Sequence, residues 1–133
     1  MKIFESEYLL IDWDENQQII TEEWQLYFGE TIQEAIFRQP MELILQTVKE
    51  KKISKLLVNS TERKTLRSAD LRWMEEYFYP ELANSGIKAL ALLNQKNLLS
   101  TTAAKNMMRQ INAKVEVKVF NDLATAQTWL NQF

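Results

Sequence analysis

Glu5, Glu7, Asp12, Asp14 and Glu15 crowd around one prospective turn near the start of the chain. Gathered there, their oxygens would suit a hard cation such as calcium or magnesium. Their spacing matches no calcium-loop pattern, so a solvated turn is expected and no metal site is assigned. Glu75 and Glu76 beside Tyr77 offer an acid and a base on paper. Adjacent residues on a helix point to different sides, so this pair is poorly placed to act on one substrate. The remaining chemical inventory is short: the 133 residues contain no histidine and no cysteine. The commonest general base near neutral pH, the commonest metal ligand and the thiol nucleophile are all missing. With only two glycines there is no glycine-rich phosphate loop either. No catalytic residue and no cofactor is assigned, and an enzyme is not expected.

The composition is that of one ordinary globular domain spanning residues 1–133, with 46% hydrophobic and 26% charged residues. No apolar run approaches the length of a membrane helix, and the start, Met1-Lys2-Ile3-Phe4-Glu5, lacks the pattern of a signal peptide. A cytoplasmic protein is the expectation. The net charge of −2 hides an asymmetry. Acidic residues dominate 1–35, whereas Lys49, Lys51, Lys52, Lys55, Arg63, Lys64, Arg67 and Arg72 make 49–72 basic. Without a nucleic-acid motif, and with a pI near 5.3, this reads as a solvated helix end and loop rather than a nucleic-acid surface.

Positioning elements follow from periodicity. Tyr8 to Trp13 predicts a strand, and Ile20, Trp24, Leu26 and Phe28 on even positions predict a second, hairpinned to the first. Glu22 breaks that alternation. Thr31 to Glu34 has capping-box spacing. Met41, Ile44, Leu45 and Val48 form a helical stripe, with Pro40 either kinking the helix or opening a second one. Leu56-Leu57-Val58 and Ile87 to Leu93 predict buried strands. Between them lies a polar loop, Ser60 to Arg67, and then a helix with the stripe Leu71, Met74, Phe78 and Leu82. Ser68 is expected to cap it, Asp70 to favour its first turn, Pro80 to bend it and Gly86 to close it. Leu99 to Ile111 suggests a further helix, and Val115, Val117 and Val119 alternate as a strand. Asp122 caps the last helix, whose inner face carries Ala126, Trp129, Leu130 and Phe133. The order is β-β-α-β-α-β-α-β-α. This is an α/β domain with a mixed sheet of about five strands, an N-terminal hairpin and then parallel crossovers.

Certain residues carry a resemblance. They are the Trp24 strand, Leu56-Leu57-Val58-Asn59-Ser60, Asp70 to Trp73, Tyr79-Pro80, Ser85-Gly86-Ile87-Lys88, and Val119-Phe120-Asn121-Asp122-Leu123 with Ala126 and Trp129-Leu130. In their order and spacing they resemble the small bacterial STAS-like proteins, related to anti-anti-sigma factors and grouped with CRAL-TRIO lipid-binding domains. The resemblance covers essentially the whole chain. It implies a non-enzymatic module for protein–protein regulation, with a protein partner.

The resemblance also implies a phospho-acceptor at the start of the helix after the central strand, which is Ser68 here. Phosphate at a helix start meets free N–H groups, and Arg63, Lys64, Arg67 and Arg72 are near in sequence. The local sequence is Leu66-Arg67-Ser68-Ala69-Asp70, without the Asp-Ser-Ser-Gly type of signature, so a plain N-cap is the simpler role for Ser68. The alternative function implied is a small apolar, lipid-like ligand held between helices and sheet. Trp24, Trp73, Tyr77, Phe78, Met107 and Met108 would line its pocket, unless they simply fill the core. Sheet edges could also pair two copies into a homodimer.

Overall fold

Alternating apolar residues set up a sheet with two different faces. The computed structural model describes residues 1–25, 27–28, 34–61, 63–65, 67–93 and 115–133. Its elements are β1 (Lys2–Glu5), β2 (Leu9–Asp14), β3 (Ile19–Trp24), β4 (Tyr27–Phe28), α1 (Glu34–Lys51), β5 (Lys55–Asn59) and β6 (Arg63–Thr65). There follow α2 (Ser68–Trp73), a π-helical turn (Met74–Phe78), α3 (Tyr79–Ala83), β7 (Ala89–Leu93), β8 (Glu116–Phe120) and α4 (Leu123–Leu130). The main sheet has six strands in the order β1-β2-β3-β5-β7-β8, and β4 pairs with β6 in a separate two-stranded sheet. β1, β2 and β3 are antiparallel; β3, β5, β7 and β8 are parallel. No helix among the described residues is long and apolar enough to cross a membrane.

The parallel strands follow one another in chain order across the sheet, so each crossover steps the same way. Crossovers of one hand then place their helices on one face. α1 and the α2–α3 segment obey this. Phe37, Met41, Ile44, Val48, Phe78 and Leu82 pack with Leu9, Ile11, Ile20, Leu56, Leu90 and Leu92 in one core. α4 is not a crossover and lies on the opposite face, where Ala126 and Leu130 bury Leu57, Ala89, Ala91, Leu93 and Phe120. Each fully buried Leu, Ile or Phe contributes about 1.5–3 kcal/mol by leaving water.

Several expectations need correction. The main sheet has six strands rather than about five, because the short, half-buried β1 adds to the edge of β2. The second strand ends at Trp24 and does not run on to Phe28; Tyr27–Phe28 belongs to the smaller sheet. Glu22 does not break the alternation. It occupies the inward position between Ile20 and Trp24 and is only 3% exposed. The polar stretch 60–67 contains β6. Phe133 is 41% exposed and lies off the inner face of α4, which ends at Leu130. Residues 31–33 of the expected capping box, the expected helix Leu99 to Ile111, and Met107 and Met108 lie outside the described residues.

Local signals explain most boundaries. α1 runs through Pro40 as one helix and ends with Lys52 at φ 54°. Ile53 N donates to the Val48 carbonyl at 3.1 Å, the closing bond of a left-handed helix cap, here made without glycine. Gly86, at φ 95°, instead serves the turn after α3 that leads into β7. Asp122 caps α4, accepting from Thr125 N at 2.9 Å. The helical segment from Ser68 to Ala83 changes winding ahead of Pro80 rather than carrying only a proline bend. The π turn from Met74 to Phe78 widens the helix where the missing proline N–H and its ring would otherwise disturb a tight ladder. Asp70, Met74, Phe78 and Leu82 are all buried at intervals of four residues along it.

Candidate functional site

In open sheets with parallel strands, ligands bind beyond the carboxyl ends of those strands. Here β3 ends at Trp24 and β5 at Asn59. Ser60 is buried just after β5 and ties it to β7, with N and Oγ donating to the Leu93 carbonyl at 2.9 and 3.3 Å. Asn59 Oδ1 accepts from Thr61 N and Oγ1 at 3.3 and 2.9 Å, which folds the chain away from the sheet.

Around the end of β3 the helices bring aromatic rings together. Trp24 stacks on Phe37 of α1, with centroids 5.7 Å apart, and Phe37 meets Trp73 of α2 edge-on at 6.3 Å. Trp73 lies against Tyr77 at 5.3 Å and Phe78 at 6.2 Å. Thus Trp24, Trp73, Tyr77 and Phe78, the expected lining of an apolar pocket, do share one interface. They fill it ring against ring at normal aromatic packing distances. Phe37, fully buried at its centre, escaped the sequence reading; its place one turn before Met41 was the available signal.

An ionic set borders the rings. Arg38 lies over the Trp73 ring at 5.4 Å. Its Nε donates to Asp70 Oδ1 at 3.2 Å and its Nη2 to the Ala69 carbonyl at 3.3 Å. Arg67 grips the same carboxylate through Nε to Oδ2 at 3.0 Å and Nη2 to Oδ1 at 3.3 Å. Asp70 is fully buried, so it joins α1 to α2 and does not merely favour a helix start. Deeper in, Trp24 Nε1 donates to Glu22 Oε1 at 3.1 Å. One buried carboxylate, Asp70, thus serves two guanidiniums. The arrangement locks α1, α2 and β3 together.

Ser68 is not the N-cap. Arg67 holds that position in an extended conformation without a side-chain cap bond, and Ser68 is the first helical residue, exposed to solvent. The expected arginine partner Arg67 is engaged by Asp70, and Arg72 is exposed. Arg63 and Lys64 lie in β6, and their side chains are outside the described set. Tyr77 donates to Glu42 Oε2 at 3.1 Å; this bond, then partial burial and the nearby charge, pushes its phenol above the ordinary value.

The acidic turn disperses its carboxylates. Glu5 pairs with Lys2 at 2.8 Å and Asp12 with the N-terminal amine at 3.3 Å. Asp14 accepts from Gln17 N at 3.1 Å. Among the described residues, no three acidic side chains converge on a potential metal position. Asp12, Asp14, Gln17 and Thr21 do line a groove of about 320 Å³ with Gln127 of α4 and Asn131 just after it, on the face away from the aromatic rings. Sequence reasoning missed this groove, because the residues on its two sides are far apart in the chain. Compared with protein-family models, with curated proteins and with solved structures, the chain matches none of them.

Proposed function

We propose that this chain is a non-enzymatic, STAS-like regulatory module that acts by binding a protein partner in the cytoplasm. The observation that carries the reading is the sheet itself. Antiparallel strands followed by parallel strands, with helices in between, agree with the element order read from the sequence pattern, and this supports the reading. A chain without histidine or cysteine is consistent with a binding role. Ser68 remains the phospho-acceptor of this reading, since its exposed hydroxyl does no capping work. A second reading, a carrier or sensor of a small apolar molecule, draws on the shared interface of Trp24, Trp73, Tyr77 and Phe78. Their direct ring contacts weigh against it.

The test combines native mass spectrometry with partner capture, using the unmodified chain and its Ser68→Ala and Ser68→Glu variants. A bare native mass, together with a stoichiometric protein complex that one Ser68 variant weakens, is the expected result. A hydrophobic adduct lost on denaturation would favour the second reading. A turnover abolished by a single Asp, Glu or Lys substitution would overturn the non-enzymatic assignment.

A further inference from the structure

The two ends of the six-stranded sheet differ. At one end β1 is short and its register with β2 shifts between Lys2 and Phe4. Such irregularity blunts an edge against further pairing. At the other end β8 pairs in unbroken register with β7 over Glu116–Phe120, and no described strand lies on its outer side. Glu116 N donates inward to the Lys88 carbonyl at 2.9 Å. Parallel ladders alternate, so Glu116, Lys118 and Phe120 direct their backbone groups toward β7. Val117 and Val119 direct theirs outward. The open edge therefore offers an N–H and a C=O at each of those valines.

We infer that this edge is the contact surface for a second copy of the same chain, joined antiparallel through β8 about a two-fold axis at Val117. The inference is independent of the STAS-like reading. Charge selects this occupant and this register. Glu116 and Lys118 are exposed and lie on the same face of β8. With Val117 opposite the partner's Val117, Glu116 stands opposite the partner's Lys118, and Lys118 opposite the partner's Glu116. Both ionic pairs fall at non-hydrogen-bonded positions, where facing side chains approach most closely. On the other face, the half-buried Val117 meets the partner's Val117, and β-branched pairs suit a pleated surface.

Registers centred on Glu116, Lys118 or Val119 fail by the same rule. Moving the axis to Lys118 sets lysine against lysine, and moving it to Glu116 sets glutamate against glutamate. An axis at Val119 places Glu116 opposite the partner's Asp122. A lysine in an edge strand ordinarily discourages pairing. Here a glutamate two positions earlier converts that lysine into a matching group for one alignment. Trp129 of α4 lies on Phe120 of β8 at 5.5 Å, and Phe133, beyond the helix end, lies on Trp129 at 4.9 Å, which continues the apolar surface from β8 past the end of α4. Leu123 of α4 is a further exposed apolar residue, at 44%.

Sedimentation equilibrium on the full chain tests this, with circular dichroism to verify folding. The wild type should be a dimer. Glu116→Lys alone and Lys118→Glu alone place like charges opposite each other twice, and each should weaken self-association by roughly tenfold or more. An equimolar mixture of these two variants should form a heterodimer, and the double swap E116K/K118E should recover the homodimer. Because both side chains are exposed, the variants should fold. A monomeric wild type at the highest attainable concentration would overturn the proposal. So would single variants that dimerise as well as wild type, or a mixture that stays monomeric.

Discussion

Arg38 of α1 reaches Asp70 of α2 with its Nε 3.2 Å from Oδ1, and it does so over a carboxylate that is fully buried. Arg67 holds the other oxygen at 3.0 Å. Removing one partner of a buried ion set costs far more than the set contributes when intact, because the remaining charge is left uncompensated. Asp70→Asn should therefore destabilise the fold by about 3 kcal/mol, the low end for buried pairs, since both arginines keep some access to water. Urea unfolding measures this. A loss under about 0.5 kcal/mol would place Asp70 among ordinary surface residues.

Phe37 sits between Trp24 and Trp73 with no exposure. Phe37→Ala should cost about 3–5 kcal/mol, through lost transfer energy and the cavity left behind. Near-ultraviolet circular dichroism should lose intensity as both indoles gain freedom. Phe133→Ala, at a 41% exposed position, is the contrasting control and should stay within about 0.5 kcal/mol.

Ser68→Ala should change stability by less than about 0.5 kcal/mol, because the hydroxyl caps nothing. A serine that did cap this helix would cost about 1 kcal/mol when removed. Chemical denaturation decides between the two, and the larger loss would return Ser68 to the cap position.

Asp122 gives a pH dependence whose sign is set by its bonds. The Thr125 backbone N–H, then the Thr125 hydroxyl, favour the ionised carboxylate and lower its pKa in the folded state. Its contribution is whole above the unfolded-state value of about 3.9 and is lost as pH falls through the lower, folded value. Asp122→Ala should thus destabilise at neutral pH, and the gap to wild type should close in strong acid. Urea midpoints across the acid range would show this. A gap that stays constant there would refute the lowered pKa.

How much of this was legible in the sequence depended on distance along the chain. Leu56-Leu57-Val58 declared a central strand, and Asp122 declared a cap, because each signal is complete within a few residues. Glu22 misled, since the type of residue suggested solvent while its even position, shared with Ile20 and Trp24, was the truer guide. Lys52 closes α1 in a left-handed conformation that nothing in its own chemistry favours; the packing of Ile53 into the core drives the chain through it. The Arg38–Asp70 pair spans 32 positions and could be seen only once α1 and α2 were side by side.

The π turn between Met74 and Phe78 makes segment length a constrained quantity. A regular α-helix rotates a four-residue stripe by about 40° at each step, and the wider turn rotates it back. Asp70, Met74, Phe78 and Leu82 can thereby keep one azimuth over the whole span. Deleting a single residue here would leave Asp70 and Leu82 eleven positions apart, about 20° beyond three regular turns, so the stripe would survive, whereas inserting one would swing one of them toward water. Chain length through this turn should thus tolerate a deletion better than an insertion.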